Sequence, residues 1–406
     1  MVFSSNFKIN FLIGTVIVIG LAYTPAHASD ALKSYLTGPS GFGNSSNAAS
    51  VSISGKSMAS LTTLALSAGH EFNQTVSRRQ NKLHSFSNDV GTSEVFFGEA
   101  SDIEIQKKAE KVFDAIGKQF GFSGDDMGSA PQFWSTDFKR KGIVGNNNGL
   151  ETYNYDLAGF AGGMDVRAGM NWNFGLAAGY TRATSRFEAL ARTATSVDAY
   201  QASLYATYEN ELGSMDSNIS FNKFENQSER SIVGSDLNET ADAKGKGYQV
   251  AWTLSAMGHG NYDKFTLTPL TGFTFTRLHR GGLSENGAGF YDLSSASSNS
   301  TSLKPMLGID IARSYTYQSD IEIKPEIYGI YRYETMDTTE STTNRLQQLD
   351  TLSSTSSTAL SRHSLQIGSS VSVKMGDRFT GKLQFDSDLQ PSSHSHSGIF
   401  KVNYNW

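Results

Sequence analysis

Few residues of this 406-residue chain stand where catalysis would need them. Gly38-Pro39-Ser40-Gly41 comes near a nucleophile elbow, but G-x-S-x-G places its second glycine one residue further on. His70 and His84 have the ring chemistry of a general base, yet no nucleophile context points at either. His394 and His396 project to one side of an extended segment, and two imidazoles in a serine-rich stretch make a weak metal site. Asp165, Arg167, Glu322, Lys324, Glu326 and Arg332 resemble an acid–base cluster. Each alternates with apolar neighbours, which is the pattern of ion pairs between adjacent strands. With no cysteine there is no thiolate nucleophile, thiolate metal site or disulfide. The expectation is a protein that is not an enzyme, with no catalytic residue, cofactor or metal.

The elements that carry these residues are strands. From about residue 132 onward, apolar and polar residues alternate with a period of two. Trp172, Phe174, Leu176, Ala178 and Tyr180 share one face; Ile321, Ile323, Pro325, Ile327, Tyr331 and Tyr333 share another, opposite Glu322, Lys324, Glu326 and Arg332. Strands are expected near 132–142, 151–169, 172–184, 195–209, 213–226, 245–258, 263–278, 301–315, 319–335, 361–375, 378–388 and 396–406. Short turns such as Gly169-Met170-Asn171 and Gly376-Asp377 alternate with long polar loops at 227–244, 279–300 and 336–360. A soluble sandwich does not sort its loops this way. Tyr and Trp near strand ends suit the two water–lipid boundaries of a membrane barrel. Pro269, Pro305 and Pro325 each remove a ladder donor, and local bulges are expected there. The fold class is therefore all-β: a 12-stranded antiparallel transmembrane outer-membrane barrel, with short turns in the periplasm and long loops outside.

Composition agrees. Hydrophobic residues make up only 38% of the chain, sufficient where every second residue faces lipid. The net charge of −5, with no basic cluster, gives no reason to expect nucleic acid as a partner. Residues 1–28 read as a signal peptide: Lys8, an apolar run from Phe11 to Ala22, then Ala26-His27-Ala28, with cleavage between Ala28 and Ser29. That implies export through the Sec translocon.

Between signal and barrel, residues 29–102 form a short, largely irregular segment, with a possible helix from Met58 to about Phe86. Residues 103–121 read as an amphipathic helix, with Ile105, Ala109, Val112, Phe113, Ile116 and Phe120 on one face. A helix of this length reaches about 25–30 Å, one bilayer core. Two placements stay open: threaded through the lumen, or packed within the mature N-terminal region or at the barrel mouth.

The last strand is the sharpest signal. Phe400, Val402, Tyr404 and Trp406 fall on one parity, and Lys401, Asn403 and Asn405 on the other. With Phe133-Trp134, Tyr155–Asp165, Gly175–Tyr180, Val197–Gln201, Leu267–Leu270 and Leu283–Ala288, this ending resembles the autotransporter β-domain, the translocator of type V secretion in Gram-negative bacteria. The resemblance covers about 131–406. It implies a twelve-stranded barrel, a pore helix (here 103–122), export of the preceding passenger, and recognition of the terminal strand by the barrel-assembly machinery. Outer-membrane lipid and periplasmic chaperones are the further expected partners, with an unknown extracellular ligand. The passenger, 29–102, is unusually short. Its expected location is the cell surface or the pore. The alternatives are a channel or structural outer-membrane protein with an N-terminal plug, and a loop-mediated adhesin.

Overall fold

The computed structural model describes residues 45–85, 132–145, 152–187, 193–233, 238–317, 321–336, 339–347, 352–358, 361–376 and 379–404. The sequence carries one long helix among these, α1 (Ser45–Ser85), followed by strands. Twelve of them close a barrel: β1 (Gln132–Val144), β2 (Tyr153–Ala168), β3 (Trp172–Phe187), β4 (Ala194–Asn210), β5 (Gly213–Val233), β6 (Asn238–Gly258), β8 (Phe265–Arg280), β11 (Ser298–Ala312), β13 (Ile321–Tyr333), β16 (His363–Met375), β17 (Phe379–Gln390) and β18 (Ser393–Tyr404). Each pairs antiparallel with its neighbours, as tight connections dictate, and β18 returns to β1. The short β7 (Gly260–Tyr262) and β12 (Tyr315–Tyr317) lengthen two hairpins at the short-turn end.

Parity sorts the two faces. Leu204, Ile219, Phe221, Leu307, Ile309, Ile327, Leu383 and Phe385 are exposed on the outer wall. They form the apolar band that lipid requires. Trp172, packed on Tyr208 at 4.9 Å, marks the short-turn boundary. Tyr180 with Tyr200, and Tyr333 with His363, mark the long-loop boundary.

Three expectations are corrected. First, 227–244 is mostly strand: β5 and β6 stay in register out to Val233↔Asn238. The extension alternates buried and exposed polar residues (Asn226, Ser228 and Arg230 are buried), so a search for apolar periodicity passes over it. Second, 279–300 and 336–360 are not plain loops. They hold β9 (Leu283–Asn286), β10 (Leu293–Ser295), β14 (Thr339–Leu346) and β15 (Leu352–Thr358), a small sheet joined to β6 through Asp242↔Asn286. The Arg230 guanidinium donates to Glu285 at 2.5 Å, and Glu285 accepts the Leu293 N–H at 2.9 Å. Third, no bulge forms at the prolines. Pro305↔Phe273, Pro269↔Ile309 and Pro325↔Val371 lie in unbroken register. One missing N–H removes a single ladder bond, and the intact bonds on either side hold the alignment.

The closing seam is short. β1 pairs with β2 along its whole length, but with β18 only over Arg140–Val144 against Ser393–Ser397. Hydrogen exchange should therefore be faster at β1 amides below Arg140 that point toward β18 than at amides of β3, which is paired on both sides. Equal protection on the two strands would show the seam fully zipped.

Candidate functional site: a helix-filled pore

α1 lies inside the barrel. Met58, Leu61, Ala65, Ala68, Phe72 and Val76 recur every three to four residues and are buried. They join one apolar cluster with Trp134, Phe138, Leu157, Ala161, Ala177, Val197, Ala199 and Phe224 of the inner wall. The lumen is thus less uniformly polar than a water-filled channel. Gly179 lets the helix approach β3: a Cβ there would sit 2.8 Å from the Phe72 ring.

Polar contacts reach strands all round the helix. Gln201 of β4 donates to the Ala68 carbonyl at 3.0 Å, and Ser60 lies 3.3 Å from Thr195. Glu71 is the hub. It accepts from Arg140 at 2.5 Å and from Arg78 at 3.2 Å. Arg140 also donates to Asp388 at 2.6 Å, Ser395 at 3.1 Å and the Gln74 amide oxygen at 3.1 Å. Arg78 reaches Asp386 at 3.0 Å. A second anchor holds the far end of α1: Arg79 donates to Asp165 at 2.7 Å and to Gln132 at 3.2 Å. Asp165 also accepts from the Tyr205 hydroxyl, which in turn accepts from the Trp134 indole at 2.8 Å. These charges are buried, so their pairing is what makes their burial tolerable.

Of the six lumen charges read from the sequence, Asp165 and Arg332 are buried inside. Arg332 donates to Gln366 at 2.7 Å and lies 3.9 Å from Asp388. Glu326 lies 3.8 Å from Lys382. Glu322 and Lys324 share the inward parity of β13, opposite Lys374 and Ser372. Arg167 is exposed at the short-turn rim and donates to the Met170 carbonyl at 2.8 Å. The structure unites Asp165 and Arg332 with groups the sequence reading passed over: Glu71, Arg78, Arg79, Arg140, Asp386 and Asp388. Gln384, Asp386 and Asp388 alternate with Leu383, Phe385 and Leu389, a signal of inward charges that strand parity already carries.

The pore-filling helix comes from within 29–102, the stretch read as passenger. Ile105, Ala109, Val112, Phe113, Ile116 and Phe120 lie outside the described residues, as do Ala28, Ser29 and Trp406. Phe400, Val402 and Tyr404 are in β18, whose backbone pairs with β17 down to Phe379↔Tyr404.

A helix held inside a closed twelve-stranded barrel, with short turns at one end, is the arrangement the resemblance implies. The autotransporter β-domain family matches residues 133–386. The chain belongs to the autotransporter β-domain family. The translocator domain of the autotransporter NalP from Neisseria meningitidis is similar in fold, with TM-score 0.52 and 15% identity, covering 76% of this chain and 100% of that one. The β-domain of the Bordetella autotransporter BrkA (TM-score 0.47, 14% identity, 68% and 98% covered) also matches. So does the transport unit of AIDA-I from Escherichia coli (0.44, 12%, 75% and 100%). No curated relative matches the sequence. As a member of this family the chain is an outer-membrane autotransporter translocator, embedded in the Gram-negative outer membrane and assembled as such barrels are.

Proposed function

We propose that this translocator keeps α1 threaded through its pore, with the helix N-terminus toward the cell surface. Only residues before about 45 would then be displayed, and residues 86–131 would remain periplasmic. The observation that carries the reading is the pair of anchors. Ser60 lies against Thr195, near the start of β4 at the long-loop end. Arg79 lies against Asp165 and against Gln132, the first residue of β1, at the short-turn end. The helix therefore leaves the barrel at the end where β1 begins. On this reading 103–122 lies outside the lumen, and the exported portion is shorter than 29–102. On this reading the buried charges serve to hold α1, since they are engaged by one another and by the helix.

The cysteine-free chain allows a direct test. Single cysteines at Ser34 and Ser93 would be probed on intact cells with a membrane-impermeant maleimide. Labelling is expected at 34 at once, and at 93 only after the outer membrane is broken. Labelling of 93 on intact cells would reverse the orientation of α1. Protection of both positions would favour the second reading, a barrel whose N-terminal segment only plugs the pore. That reading is favoured by the density of apolar packing around α1.

A further inference from the structure

Charges on the outer wall of a membrane barrel need partners, because lipid provides no solvation. Several have them. Lys141 lies 3.6 Å from Asp156, Arg182 lies 3.9 Å from Asp198, and Lys246 lies 3.4 Å from Glu225, all near the long-loop boundary. Lys223 of β5 and Arg277 of β8 are also exposed on that wall, and among the described residues neither has a carboxylate within salt-bridge range.

The register sets these two cations on either side of β6, one outward-facing row apart. Lys223 is opposite Tyr248, Tyr248 is opposite His279, and Arg277 is two residues from His279 on the same face. The Tyr248 and His279 rings pack at 5.1 Å, and the His279 Nδ1 lies 2.9 Å from the Asn299 amide oxygen. β5 and β8 flank β6, so their backbones are about 10 Å apart, and Arg277, opposite Val250, stands about 7 Å nearer the short-turn end than Lys223. Two long basic side chains can close over that span onto one tetrahedral anion. Toward the membrane core, the same strands present Ile219, Phe221, Val250 and Trp252, all exposed. Lys223 and the Tyr248–His279 shelf form one row, Arg277 shares the next row with Val250 and Phe221 and is long enough to snorkel upward, and apolar side chains lie beneath.

We propose that this wall of β5, β6 and β8 binds a phosphorylated, multiply acylated glycolipid of the outer leaflet, of lipid A type, with its phosphate between Lys223 and Arg277 and an acyl chain along Phe221, Val250 and Trp252. The proposal rests on the outer-membrane reading with long loops outside. A soluble anion would find the two cations but no use for the apolar strip. A zwitterionic phospholipid would bring its own positive charge to a basic site.

The test is native mass spectrometry of the full-chain protein in detergent, titrated with hexa-acyl lipid A, with the same lipid stripped of phosphate, and with inorganic phosphate. The Lys223→Gln/Arg277→Gln protein is compared with Lys246→Gln, whose cation already has Glu225, and heat-modifiable mobility confirms that each variant is folded. Lipid A affinity should fall at least tenfold in the double variant and stay within about twofold in the control. Phosphate-free lipid should bind the wild type no better than lipid A binds the double variant, and millimolar inorganic phosphate should not displace lipid A. Undiminished lipid A binding by the double variant, equal binding of the phosphate-free lipid, or displacement by inorganic phosphate would each overturn the site. The cysteine-labelling pattern is independent of all three, so failure here leaves the translocator reading standing.

Discussion

Arg140→Ala should destabilise the barrel by about 3–5 kcal/mol, the usual cost of stranding a buried charge. Arg140 is buried and donates to Glu71 on the helix, to Asp388 on β17 and to Ser395 on β18. Its loss leaves two buried carboxylates short of their counter-charge. It also removes a side chain that ties α1 to both sides of the seam between β1 and β18. That seam is paired only from Arg140 upward, so the substitution removes the side-chain anchor at the lower limit of closure. The measurement is the denaturant midpoint of the purified protein in detergent, converted to free energy by linear extrapolation. A change below about 1 kcal/mol would mean that the network is solvated and weak, as exposed ion pairs are. Adding Glu71→Gln to the variant should recover part of the loss, because the stranded helix carboxylate is then neutral. If the double substitution is no better than the single one, Glu71 is not the partner that matters.

The second large effect concerns assembly. Tyr404→Ser with Trp406→Ser should leave little inserted barrel and mostly degraded periplasmic protein. Phe400, Val402, Tyr404 and Trp406 share one parity, and the Tyr404 backbone pairs with Phe379 at the short-turn end. A terminal strand with a free edge is available for β-augmentation by another sheet, and aromatic residues supply the side-chain specificity of that pairing. The comparison is the amount of heat-modifiable protein in outer-membrane fractions, with Lys401→Ser on the opposite parity as control. Wild-type levels in the aromatic variant would show that this strand ending is dispensable for insertion.

Both predictions depend on knowing which face a residue occupies, and there the sequence was an effective guide. Alternation in β3 and β13 told outer from inner residues, since strand geometry leaves side chains only two directions. Hydrophobic alternation served less well where the buried residues were themselves polar. The continuation of β5 past Asn226 buries Ser228 and Arg230, and nothing apolar marks it. The sheet holding β9, β10, β14 and β15 was equally hidden, because its local pairing sets serine against serine, Ser284 to Ser294, and its other one joins Ser295 to Asn344 across segments distant in the chain.

Order along the chain determined the barrel itself: strand length, the alternation of short and long connections, and the family resemblance of 131–406 are all local properties. The occupant of the pore was decided only by tertiary structure. Residues 103–121 have the cleaner amphipathic pattern, the kind that forms when one side of a helix meets water. A helix enclosed by a barrel wall meets protein on every side, so beside its apolar stripe of Met58, Leu61, Phe72 and Val76 α1 also buries Glu71 and engages Arg78 and Arg79, a mixture that does not by itself announce a pore. Its charged partners include Arg140, Asp165 and Asp386, from the first, second and eleventh barrel strands. Charges so far apart in sequence become neighbours only when the sheet closes.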